Sequence, residues 1–132
     1  MLQPKTDLSA YRKVQIESAD PQQIVILLYE GAIDFLNKAQ DCISKSDIQG
    51  KNLYLTRCRD IILELNDALN MEVGGEIARN LRGLYLFINR YLLQCGWQNS
   101  SQGLEKVKNM LMRLKEAWEI CKSSLSKGIQ RM

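Results

Sequence analysis

The sequence predicts an all-α protein, an antiparallel four-helix bundle with an N-terminal extended or short helical segment. Three observations lead there. Apolar residues recur with a 3.6-residue period in four consecutive segments, short turn-forming stretches separate those segments, and both prolines, Pro4 and Pro21, lie at or before the start of the first long helix. Nothing downstream interrupts helical pattern. With 132 residues, 45% hydrophobic and 25% charged, the chain has enough apolar content for one globular core without staples.

Asp20-Pro21 starts the first helix. The aspartate is an N-cap worth ~1 kcal/mol, and proline at the first helical position gives up only an N–H that had no partner. This helix runs to about Ser44, with a core face centred on Leu28, Gly31, Phe35, Ala39 and Cys42 that also takes in Ile24 and Ala32. Ser46-Asp47 opens the second helix, whose stripe is Tyr54, Leu55, Cys58, Ile61, Ile62, Leu65, Ala68 and Leu69, ending near Met71. Gly74-Gly75 is a hinge, and Glu76 after it suits the positive end of the next helix dipole.

The third helix places Ile77, Ala78, Leu81, Leu84, Tyr85, Ile88, Leu92 and Cys95 on one face and stops at Gly96. Asn99-Ser100-Ser101 begins the fourth, with Leu104, Val107, Leu111, Leu114, Trp118, Cys121 and Leu125 as its core stripe. Helices of about 20 to 25 residues span about 30 to 37 Å, and short loops between them require antiparallel neighbours. Residues 1–20 stand apart from the bundle at 21–132, because Leu8, Tyr11, Val14 and Ile16 are too apolar for a free tail yet precede the helix start.

Several function classes lose support. The chain has no histidine, so the commonest acid–base residue is missing, as are Glu-x-x-His metal pairs. There is no glycine-rich phosphate loop or nucleophile elbow, and an enzyme is the least supported class. Carboxylates such as Glu72 and Glu76 read as solvated capping charges. Cys42, Cys58, Cys95 and Cys121 have no CxxC spacing and read as small buried hydrophobes in a reducing compartment. No metal or other cofactor is expected.

No apolar run approaches the roughly 18 residues of a membrane span, and no signal-peptide core precedes the domain, so the expected location is the cytoplasm without membrane insertion. Net charge is +3, with basic and acidic residues interleaved apart from Lys122, Lys127 and Arg131 in the tail. That pattern disfavours nucleic acid.

The chain carries more apolar surface than one buried face per helix uses. Ile26, Tyr29 and Ile33 fall opposite the core centre of the first helix at i, i+3, i+7. Leu53 and Leu63 are off-stripe on the second helix, and Leu86, Leu93 and Phe87 on the third. Such residues either pack within a central helix or receive another protein. Tyr11, Val14 and Ile16 offer a lid that covers part of the groove until a tighter ligand displaces it.

Specific strings then narrow the reading. Tyr11 and Val14, Ser18-Ala19-Asp20-Pro21, and Leu28-Tyr29-Glu30-Gly31-Ala32 resemble the N-terminal half of the flagellar export chaperone family FliS. Asp60-Ile61-Ile62-Leu63-Glu64-Leu65-Asn66, Leu69-Asn70-Met71-Glu72, Gly74-Gly75-Glu76-Ile77-Ala78, Asn80-Leu81 and Leu84-Tyr85 follow the family's central signature in order and spacing. Arg113-Leu114 and Glu116-Ala117-Trp118 match its terminal helix, and the resemblance covers about residues 11–121.

The resemblance implies a cytoplasmic four-helix chaperone that binds the disordered C-terminal segment of flagellin, prevents premature polymerisation, and delivers it to the membrane export gate. The helical wheels, together with the family's N-terminal motif, nominate Ile26, Tyr29, Ile33, Leu63, Leu86 and Leu93 as flagellin contacts, with Tyr11, Val14 and Ile16 as the lid. Core packing remains the alternative for each. A monomer or weak homodimer is expected, and the rival reading is a self-associating helical-bundle adaptor that has no flagellin role.

Overall fold

The computed structural model describes residues 21–130, with side chains as far as Ser123. The lid residues Tyr11, Val14 and Ile16 lie outside the described residues, as does the Asp20 cap. Helices α1 (Pro21–Ser44), α2 (Ile48–Asp67), α3 (Gly75–Gln98) and α4 (Ser101–Gln130) follow in order, and the expected all-α bundle is what forms. Cross-helix partners run in opposite directions, which fixes the antiparallel sense. Gln23 meets Lys122 and Gln40 meets Ser101, while Arg59 meets Asn89 and Lys51 meets Gly96.

Each connection has a local cause. Asp47 caps α2 by accepting from the Gly50 N–H at 3.0 Å, after Ser46 turns the chain at a positive φ of 57°. The second helix stops at Asp67, earlier than Met71, because Asn70 folds its side-chain oxygen onto the N–H groups of Glu72 (3.2 Å) and Val73 (3.1 Å). Conversely, α3 continues through Gly96 to Gln98. Its stop is Asn99, left-handed at φ 51°, whose turn is closed by the Ser100 N–H on the Cys95 carbonyl at 2.9 Å. Gly96 serves close packing instead, since a Cβ there would sit 3.0 Å from Leu55 Cδ1.

The helices form a ring in which α1 packs on α2 and α4, α2 on α3, and α3 only lightly on α4. The core is built from Tyr29, Ala32, Leu36 and Ala39 of α1, Cys58, Ile61 and Ile62 of α2, Tyr85, Ile88 and Leu92 of α3, and Leu104, Val107 and Leu111 of α4. Each large side chain so buried contributes about 1.5–3 kcal/mol.

Two expectations change with this ring. Ile26 and Tyr29 are buried, at 4% and 0% exposure, and Ile33 packs half-buried against the core. A helix with substantial neighbours on two sides buries two stripes, so the surplus ridge of α1 is consumed by packing. The Lys115–Glu30 ion pair marks α4 on that side. The opposite correction falls on Ile77 and Cys121, which are exposed because α3 and α4 diverge where core packing was expected. Cys42, Cys58 and Cys95 are buried as free thiols.

Candidate functional site

Five of the exposed large apolar residues, Ile77, Leu86, Phe87, Leu93 and Trp97, lie on α3, while Ile48, Leu53, Val73, Met112 and Ile120 are exposed elsewhere. On the α2 side of α3, Leu86 and Leu93 are 38% and 41% exposed, and Trp97, one turn beyond Leu93, is 87% exposed. The Arg59 Nε–H donates to Asn89 Oδ1 at 2.9 Å and sets the register of this seam. One turn along α2 from Arg59, Leu63 is 37% exposed and lies level with Leu86 in the antiparallel pair. A shallow groove continues between the helices past Thr56, Leu93 and Trp97. The structure therefore brings Leu63, Leu86 and Leu93 to one surface. Ile26, Tyr29 and Ile33 are not part of it.

Trp97 follows from the same periodicity, at i+4 from Leu93 and i+11 from Leu86. Its position after the expected stop at Gly96 hides it from a helix wheel.

On its other side α3 opens onto α4. Ile77, Leu81, Leu114, Ala117, Trp118 and Cys121 line an almost wholly apolar cleft of about 260 Å³. Sequence periodicity assigns most of these residues to the core stripes. The cleft stays open because α3 and α4 pack only lightly on each other, a divergence that the stripes themselves do not signal. Phe87 stacks on Tyr91 at 5.7 Å between ring centroids. Phe87 nevertheless remains 47% exposed.

Beneath the cleft, the Tyr29 and Tyr85 hydroxyls hydrogen-bond each other in the core. Burial pushes both phenols above the usual tyrosine range; for Tyr29, bonds from Tyr85 and the Trp118 indole partly offset it. Trp118 thus touches both the buried pair and the open cleft. A cluster of this kind rigidifies the floor without offering a reactive group.

Charge is uneven around α3. Arg79, Arg82 and Arg90 are exposed, and Glu76 is the helix's sole acid. Among the described residues none of these arginines forms an ion pair, and no group of three or more cysteine or carboxylate side chains is placed to hold a metal. Among the same residues no helix is long and apolar enough to cross a membrane.

Comparison with known proteins gives a consistent result. A family model described as "Flagellar protein FliS" matches residues 4–124. The flagellar secretion chaperone FliS of Vibrio cholerae is 36% identical over 116 residues, covering 85% of each chain. That of Salmonella typhimurium is 36% identical over 117 residues, covering 85% of this chain and 87% of the relative. The Bacillus subtilis protein of the same name is 28% identical, covering 84% and 82%. A crystal structure of a bacterial flagellar chaperone superposes with a TM-score of 0.75 at 19% identity, covering 89% of this chain and 98% of that one.

Proposed function

The chain belongs to the FliS family of flagellar proteins, and on that premise we propose that it binds the disordered C-terminal segment of flagellin in the bacterial cytoplasm, blocks premature polymerisation and presents the complex to the export gate. The observation that carries this reading is the double exposure of α3. Its core is complete with Tyr85, Ile88, Leu92 and Cys95, yet Leu86, Leu93 and Trp97 face outward on one flank, and on the other Ile77 is exposed beside the half-buried Leu81 of the open cleft.

An amphipathic segment that would otherwise nucleate a filament hides its apolar face by lying along those flanks. Ordering such a segment costs about 2–5 kcal/mol, so an extended surface suits the task better than one deep pocket. Client contacts are assigned to Leu63, Leu86 and Leu93, joined by the α3/α4 cleft. The segment carrying Tyr11, Val14 and Ile16 precedes α1 in the sequence. Its role is a displaceable cover that lowers self-association at some loss of apparent affinity.

Calorimetric titration with a peptide covering about the last 50 residues of flagellin from the same organism tests this reading. Saturable binding with a negative heat-capacity change is expected. An absence of heat at two temperatures, together with a concentration-dependent dimer in sedimentation, would favour the self-associating adaptor.

A further inference from the structure

We infer that the α2-side face of α3 selects an acidic amphipathic segment, with Arg79, Arg82 and Arg90 holding carboxylates that flank the apolar anchors. This rests on the client-binding reading and adds the chemistry of what that client must present. At 100° per residue, Arg79, Arg82, Leu86, Arg90, Leu93 and Trp97 fall within a sector of about 80°. All six are exposed. The pattern along the helix is therefore cation, apolar, cation, apolar on a single ridge.

Two features distinguish this face from an ordinary solvated one. The helix carries Arg79, Arg82 and Arg90 against only Glu76, which lies outside the sector. On α1, by contrast, exposed acids are paired one turn away, as in Asp34 with Lys38 at 3.2 Å and Asp41 with Lys45 at 2.9 Å. Here the guanidiniums have no ion-pair partner among the described residues. Arginine's planar fork suits bidentate carboxylate recognition, and apolar anchors between the cations exclude water from those bonds.

The complementary ligand is a helix with Asp or Glu one turn from large apolar residues. Nucleic acid fits less well, because Leu86 and Leu93 occupy the centre of the ridge where a phosphate backbone would need further cations.

The test compares the wild-type protein with the triple variant Arg79→Gln, Arg82→Gln, Arg90→Gln, using the C-terminal flagellin peptide and a copy whose Asp and Glu are replaced by Asn and Gln. Loss of about tenfold in affinity, mostly in association rate, is expected for the variant. Wild-type binding weakens with added salt while the variant's does not, and the amide peptide loses affinity only for the wild type. Equal affinities across these pairs with the peptide still bound would overturn this inference and leave the client reading intact. No wild-type binding at all sinks both. Tighter binding of a single-stranded oligonucleotide, abolished by the same triple change, would reassign the face to nucleic acid.

Discussion

Lys51 Nζ donates to the Asn99 side-chain oxygen at 2.6 Å and, beside it, to the Gly96 carbonyl at 2.8 Å. A lysine that is only 6% exposed thus caps the negative end of α3 from the start of α2. The charge sits where the helix dipole favours a cation, and two oxygens compensate its desolvation. Lys51→Met keeps the apolar stem but leaves the Gly96 carbonyl without this donor, so a loss of about 1.5–3 kcal/mol in urea unfolding is expected. Asn99→Gly keeps the left-handed turn and one of the two bonds, and should cost under about 1 kcal/mol. If Asn99→Gly proves the more damaging, the cap does not work through the lysine.

Glycines on the two sides of α3 should respond to alanine with opposite signs. A Cβ on Gly103 would collide with Cys95 Sγ and lie 3.2 Å from the Tyr91 hydroxyl, pushing α4 off α3. Gly103→Ala should destabilise by about 1–3 kcal/mol. Gly83 is exposed in mid-helix with nothing within 4 Å of a new Cβ. Gly83→Ala should stabilise by about 0.5–1 kcal/mol through the lower entropy of the unfolded chain. Thermal melts of the two variants decide it.

Alkali should unfold the protein earlier than its charge alone suggests. Burial raises the Cys58 thiol to about 12 and both core phenols above their ordinary range. The folded state therefore keeps protons that the unfolded chain releases from about pH 8.5 for cysteine and pH 10 for tyrosine. Their contribution is complete below those values and falls as pH rises, by up to about 1.4 kcal/mol per pH unit for each group. Denaturation at pH 8, 9.5 and 10.5 should show that decline. Cys58→Ala should flatten its first part, and an unchanged slope would place the proton release elsewhere.

The helix starts are legible in sequence because their signals are local. Asp47 caps α2 through its own turn, and Gly74-Gly75 marks the hinge before α3. Rotation of α1 is not legible, because a helical wheel assumes one buried face and α1 has two. Tyr29 therefore reads as a binding residue and proves to be the best-buried phenol, so Tyr29→Asp should collapse stability first. The ends of α2 and α3 depend on where Asn70 and Asn99 turn the chain, and a glycine nearby misleads when it serves packing, as Gly96 does. The exposure of Leu63, Leu86 and Leu93 is legible because each lies off the core stripe of its own helix. The α3/α4 cleft is not, since it arises from divergence of two helices whose stripes look complete.

That cleft gives a means of blocking the client without unfolding the bundle. Ala117→Glu adds bulk and charge at an exposed position on the cleft wall. Stability should shift by no more than about 0.5 kcal/mol, as for surface changes generally. Binding of the C-terminal flagellin peptide should weaken at least tenfold, because a carboxylate facing Ile77, Leu81 and Trp118 must be desolvated for an apolar side chain to enter.

Truncation at the other flank provides the sharpest separation of packing from recognition. Leu93 and Ile88 belong to the same helix, yet Ile88 is fully buried while Leu93 is 41% exposed. Ile88→Ala removes core volume and should cost about 2–5 kcal/mol, with any fall in client affinity following from unfolding. Leu93→Ser should leave the melting curve within about 0.5 kcal/mol of wild type. Its peptide affinity should nevertheless drop by about tenfold, since burying a leucine-sized chain contributes about 1.5–3 kcal/mol. Trp97 reports the event: its emission should shift to the blue when peptide covers it, and Trp97→Phe should remove that component while leaving the Trp118 signal. A wild-type affinity in Leu93→Ser, with the Trp97 shift absent, would move the client entirely to the α3/α4 side.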